Sequence, residues 1–147
     1  MSARTWAREI RVLLEFAAGF CATIFFHQPM LWLLRVAGLT SRAPFDMKPV
    51  APLGVPAVVS LAFWGGIWGL VMIPAIARVR NEAAYWVAAL LFGAILPTLV
   101  AGFVVAPLKG QPLAGGGDPK TIMAGMLING AWGVGSALLF RFFARSK

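Results

Sequence analysis

The sequence predicts an all-α membrane protein: four transmembrane helices in an up-and-down bundle with both termini in the cytoplasm, forming a single integral membrane domain over residues 1–147. Three observations predict it. The first is composition, since 60% of the 147 residues are hydrophobic and 12% charged, with a mean hydropathy of +0.81. Ordinary globular chains carry roughly 25% charged residues, and a soluble domain of this length buries only about two thirds of its surface. So much apolar side chain would leave aggregating patches in water, which makes lipid the solvent. The second is length, because four stretches reach the roughly 20 apolar residues needed to cross a bilayer: 12–39, 53–77, 84–108 and 122–143. The third is the placement of the basic residues, which fall between those stretches.

The first stretch follows Arg4, Arg8 and Arg11. That start resembles the positive region of a signal peptide, but the apolar run is longer than the usual 7 to 15 residues and lacks a small-residue cleavage site, so an uncleaved span is expected. Pro29 removes a helical hydrogen bond, so this span should kink. A loop containing Pro44, Pro49, Pro52 and Pro56 follows; proline makes it stiff and extended, suited to lying across the mouth of the bundle. The second span carries Gly65 and Gly69 as a GxxxG pair. A short turn over residues 78–83 makes the second and third spans an antiparallel hairpin. The third span has Gly93, Pro97 and Ala101 at four-residue spacing, with a kink expected at Pro97. After a glycine-rich loop, Asp118 and Pro119 stand where an N-cap and a first-turn proline start a helix. The fourth span then presents Gly125, Asn129, Gly133 and Ala137 in one stripe, as Ala18 and Ala22 do in the first. Trp68-Gly69 and Trp132-Gly133 hint at a duplicated hairpin.

The net charge of +8 would raise the question of nucleic acid in a soluble protein. No recognition helix, zinc-ligand spacing or aromatic-basic sheet accompanies it, so no nucleic-acid partner is expected. Eight of the 13 basic residues (Arg4, Arg8, Arg11, Arg78, Arg80, Arg141, Arg145 and Lys147) belong to the termini and the second connection. The remainder, Arg35, Arg42, Lys48, Lys109 and Lys120, belong to the other face. By the positive-inside rule the termini are cytoplasmic and the two long loops external. One cysteine, Cys21, rules out an intrachain disulfide and any multi-cysteine metal site.

Ionisable and amide side chains inside the spans are the candidates for function, because inserting them is costly. Glu15 stands about one turn inside the boundary, within helical reach of Arg8 or Arg11. His27 lies in the outer half of the membrane, followed by Gln28 and then Pro29. It either satisfies polar groups freed by the proline, or accepts protons or binds a ligand from outside. Axial ligation of a haem or pigment is a further alternative, with Thr23 as a small neighbour, although a second strong axial ligand is missing; no cofactor and no metal are expected. Asn129, near the middle of its span, should face a neighbouring helix or a cavity. No serine elbow, HExxH, P-loop or GxGxxG with an acidic partner is found, and no catalytic residue is assigned. Glu15 and His27 are about 18 Å apart along one helix, too far to act as an acid and base pair.

From Tyr85-Trp86 through Leu91-Phe92-Gly93 to Pro107-Leu108-Lys109-Gly110-Gln111-Pro112, and then Trp132 ahead of Arg141, the second half resembles small four-span bacterial inner-membrane proteins of uncharacterised function. The resemblance implies a multi-pass protein of the bacterial inner membrane, and carries over no site residues. Two functions are expected. One is a non-enzymatic accessory or assembly subunit that docks on other membrane subunits, or on copies of itself, through small-residue faces left over from internal packing, with Gly65, Gly69, Gly125 and Gly133 as the packing residues. The other is a small oligomeric transporter or channel with a polar path near His27, Gln28 and Asn129.

Overall fold

The computed structural model describes residues 3–145, and their side chains from Trp6 onward. Lys147 and the side chain of Arg4, both used in the charge argument, lie outside the described residues. About 79% of the described residues are helical. Among the described residues four stretches are long and apolar enough to cross a membrane: Trp6–Val36, Ala57–Ile76, Glu82–Leu108 and Pro119–Arg145.

The first stretch begins earlier than the apolar run. Helix α1 (Ala3–Ala22) already includes the basic segment, because Ala, Arg and Glu are good helix formers and the segment holds no breaker. A π-helical turn, Thr23–His27, joins it to α2 (Gln28–Val36). The Gln28 N–H reaches back to the Thr23 carbonyl, five residues away, just ahead of Pro29. Widening the turn moves carbonyls away from the proline ring and accommodates the missing N–H. The expected disturbance at Pro29 therefore takes the form of a wide turn.

The loop after α2 departs from an all-α fold by one small feature. β1 (Pro49–Val50) and β2 (Val55–Pro56) form an antiparallel ladder with Pro49 opposite Pro56 and Val50 opposite Val55. Gly54, at φ +67, makes the turn, and its N–H bonds the Val50 carbonyl at 2.9 Å. Helix α3 (Ala57–Ile76) follows directly, so the second span starts a turn later than the apolar run suggests.

Helix α4 (Glu82–Val100) is capped by Asn81, whose side chain accepts from Ala84 N at 2.9 Å. Pro97 is buried inside it. The second π-helical turn, Ala101–Val105, falls beyond Pro97 and ends two residues before Pro107, the relation that Thr23–His27 bears to Pro29. Pro107, and not Pro97, is thus where this span widens, ahead of the short α5 (Ala106–Leu108). The glycine-rich loop is ordered as a tight turn, Leu113–Gly117, with Ala114, Gly115 and Gly116 at positive φ; glycine is the residue that adopts such a left-handed path without steric cost. Asp118 then caps α6 (Pro119–Arg145), accepting from Thr121 N at 3.0 Å and Thr121 Oγ1 at 2.7 Å.

Two helix pairs interlock through backbone. Gly19 on α1 lies so close to α3 that an added Cβ would run into the Gly65 carbonyl and stand 3.0 Å from Gly69 Cα. On the other side, Gly93 of α4 and Gly133 of α6 oppose each other, and a Cβ on Gly133 would meet Gly93 Cα at 3.0 Å and the Ala89 carbonyl. Such approach is what glycine faces supply where lipid gives no hydrophobic drive. In both pairs residue numbers rise on one helix as they fall on the other, so the partners are antiparallel. The whole first span meets α6 between the pairs, through Gly19 of α1 against Trp132, Phe26 of the π-helical turn against Gly135, and Leu31 and Leu34 of α2 with Ala124 and Ile128. Met72, Ile73 and Ile76 of α3 join Tyr85 and Ala89 of α4 in a cluster that includes Trp132.

This arrangement brings three chain segments to one end. Ala7, Ile10 and Arg11 of α1 line a shallow groove with Phe140 and Ala144 of α6, and Arg141 of α6 bonds Glu82 at the start of α4. The proline-rich and glycine-rich loops occupy the opposite end.

Candidate functional site

Among the described residues, the buried polar side chains are Glu15, Thr23, His27, Gln28 and Ser136. Four of them belong to the first span. Glu15, Gly19, Thr23 and His27 recur every four residues, so helical geometry sets them along one side. The stripe is partly legible in the sequence: Glu15 and His27 stand out as ionisable and Thr23 as a small neighbour of His27, while nothing there marks Gly19.

Each position is built differently. At the end bearing the termini, Glu15 is 4% exposed and accepts from Arg11 Nε at 2.8 Å. This is the four-residue pairing expected from spacing; Arg8 is not the partner. One turn further, the Gly19 carbonyl accepts from Thr23 Oγ1 at 3.1 Å and from Trp132 Nε1 at 2.9 Å. A tryptophan in the middle of a span must place its indole N–H somewhere, and the position of Trp132, far from any interface, was the signal that could have marked it. Its bond ties α6 to α1 beside the Gly19–Gly65 contact.

The group at the loop end is His27, Gln28 and Phe45. Gln28, 2% exposed, accepts from the Phe45 backbone N–H at 2.6 Å and places its amide nitrogen 3.3 Å from His27 Nδ1. Phe45 therefore comes down from the proline-rich loop onto the first span, at φ +51, an unusual backbone for a residue other than glycine. Nothing in the sequence marked Phe45, because the contact runs through its backbone. Arg42, three residues earlier, stands near enough for its charge to act on the imidazole.

Asn129 is elsewhere. Half-buried, it donates to Thr98 Oγ1 of α4 at 2.9 Å, an interhelical bond worth about 0.6 to 2 kcal/mol in a bilayer. The polar residues read as one path thus fall into two places, His27 and Gln28 under the loop and Asn129 between α4 and α6. The four packing glycines also find their partners inside the chain: Gly65 and Gly69 on α1, Gly133 on α4, and Gly125 beside the Thr98 side chain at 3.2 Å. In the first span the glycine at the contact is Gly19. Ala18 and Ala22, the stripe read from sequence, are fully buried beside it.

Ser136 is the exception to this economy, with a buried hydroxyl that has no hydrogen-bond partner among the described residues. Also among the described residues, no three His, Cys, Asp or Glu side chains gather as a metal site would require. The arrangement can stitch helices together and can fasten a loop to them. No family model, curated protein or solved structure matches the chain.

Proposed function

We propose that this chain is a non-enzymatic, multi-pass protein of the bacterial inner membrane that serves as an accessory or assembly subunit of a larger membrane complex. One observation supports it above others: among the described residues, every buried polar side chain but Ser136 is committed to a contact within the chain. Trp132 and Thr23 share the Gly19 carbonyl, Asn129 holds Thr98, and Gln28 holds Phe45. A catalyst or a transporter needs polar groups converging on a space that a substrate can enter; here they are turned toward one another. In this reading the bundle runs up and down, with Arg8, Arg11, Arg78, Arg80, Arg141 and Arg145 on the cytoplasmic side, as the positive-inside rule favours, and the two long loops outside.

The internal use of the glycine faces changes how docking is expected to occur. A partner would meet α4 instead, whose Val87, Leu91, Ile95 and Leu99 are exposed on the flank of the molecule.

Extraction of the native protein into nanodiscs, followed by native mass spectrometry and a visible spectrum, tests the proposal. Reproducible co-purification in a larger assembly, lost when Leu91 and Ile95 are both changed to Ala, is the expected result. A colourless particle containing this chain and lipid with no second protein would overturn the accessory role, and bound pigment would replace it with a cofactor-carrying one.

A further inference from the structure

The hydrogen bonds around Gln28 can be assigned without ambiguity, because one of the partners can only donate. The Phe45 backbone N–H lies 2.6 Å from the Gln28 side chain, so the atom facing it is the amide oxygen. The amide nitrogen then faces His27 Nδ1 at 3.3 Å. An NH2 group has no lone pair to offer, so Nδ1 is the acceptor and the imidazole carries its proton on Nε2. The orientation of a buried amide and the tautomer of a histidine are thereby both set by a loop residue.

We propose that His27 and Gln28 form a proton-released latch on the proline-rich loop. A proton arriving from water at Nδ1 turns the acceptor into a donor, and the Gln28 NH2 can no longer face it. The amide is relieved by rotating, which presents its oxygen to Nδ1–H and its NH2 to the Phe45 N–H. Two donors then oppose each other at Phe45, so the latch bond breaks whichever way the conflict is resolved. On deprotonation the proton returns to water and the amide turns back.

The loop is built to respond locally. Its second part is anchored on α3, with Ala57 N bonded to the Lys48 carbonyl and Val58 N to the Asp46 carbonyl, both at 2.9 Å. The part from residue 40 to residue 45 is held by the latch and by Arg35 Nη1 on the Ser41 carbonyl at 2.9 Å. Phe45, at φ +51, is in a backbone region that a non-glycine residue leaves when nothing holds it there. Its release frees the segment that closes over His27.

Few other groups can imitate this response. Within the loop the charged residues are Arg42, Asp46 and Lys48, and only Arg42 acts on His27. Helix α3 contains no ionisable residue. Those of α6 are Lys120, Arg141 and Arg145, near its two ends. On the first span itself, Glu15 is engaged with Arg11 and Arg35 with Ser41, while Cys21 lies more than a turn away.

A nitroxide label at position 43, introduced as Ala43→Cys in a Cys21→Ser background and followed in nanodiscs by electron paramagnetic resonance, reads the latch directly. In the otherwise unchanged protein the label should be immobile at pH 8 and become mobile reversibly on acidification. Gln28→Leu should be mobile throughout. His27→Gln, which accepts through its carbonyl oxygen without titrating, should stay immobile throughout. The proposal is overturned by a spectrum that does not change between pH 8 and 4, by the same transition in His27→Gln, or by an immobile label in Gln28→Leu. Should Gln28→Leu not fold, the contrast between His27 and Gln at position 27 decides the matter.

Discussion

The two ends of this molecule are closed by different chemistry. Where the termini lie, Arg141 bonds both oxygens of Glu82, the Trp86 indole N–H donates to the same carboxylate at 2.8 Å, and the guanidinium lies 3.9 Å above the Tyr85 ring. Charge, hydrogen bonding and ring stacking converge there on one side chain from α6. At the loop end the latch is neutral and serial, one bond from the Phe45 N–H to the Gln28 amide and one from that amide to His27, beside a separate charged contact from Arg35 to the Ser41 carbonyl. A clamp with several contacts keeps most of its hold when one is weakened. A chain of single bonds fails as a whole when any of them is lost, which makes it fit for opening.

Between the ends lies the glycine layer, and breaking it should have the largest effect because neither end can compensate. Gly19→Leu places a side chain against the backbone of Gly65 and Gly69, which cannot swing aside as a side chain can. The cost should exceed the roughly 1 to 3 kcal/mol usual for overpacking, and the expected outcome is loss of monodisperse protein after extraction. Gly125→Ala is the control, since its added methyl meets only the Thr98 side chain at 3.2 Å. Comparable behaviour of the two variants would mean that the close approach of α1 and α3 is not what holds the bundle.

The clamp comes next in size. Arg141→Ala removes a cation from above Tyr85, a contact worth about 0.5 to 1 kcal/mol at a partly exposed site, together with the Glu82 pair, whose share shrinks in salt. A lower melting temperature is expected, with a smaller decrease at high ionic strength. Arg141→Lys should recover only part of it, because an ammonium cannot bond both carboxylate oxygens as the planar fork does. Full recovery with Lys would reduce the clamp to simple charge attraction, and the contrast between the ends would lose its basis.

What the sequence made legible follows from which forces it encodes locally. Apolar length located the four long helices, and helical spacing found the Glu15–Arg11 pair and the Gly65, Gly69 and Gly133 contacts. Element boundaries moved where local propensity outran hydropathy, as in the basic start of α1, or where a turn needed residues first, as in the β1–β2 ladder before α3. Pro29 marked a disturbance in the helix, but whether a proline bends a helix or widens it depends on what packs around it; Pro97 and Pro107 show both the miss and its reason. The candidate site was half visible. His27 and Gln28 stand out as costly in lipid, whereas Phe45 contributes a backbone N–H that every residue but proline has. Asn129 and His27 share no path, because Asn129 donates to Thr98 on α4 while His27 and Gln28 meet each other and Phe45 of the loop, and which partner a polar group finds depends on the packing of helices far apart in sequence.

The smallest effect expected lies at the loop end, in the cap of α6. The Thr121 hydroxyl, and after it the Thr121 backbone N–H, hold the Asp118 carboxyl below its ordinary value of 3.8. A carboxylate held down in the folded state favours that state above its unfolded pKa, and the advantage disappears as pH falls through the folded value. Asp118→Ala should therefore speed amide exchange at residues 120 and 121 near neutral pH, where their N–H groups bond the Asp118 side chain, and leave the melting temperature nearly unchanged. The ratio of variant to wild-type exchange rates should approach one as the pH falls below about 4, which separates loss of the cap from the intrinsic pH dependence of exchange. Label mobility at position 43 should not change in this variant. If it did, the two loops would open together, and the loop end would be one cooperative unit in place of a latch and an independent cap.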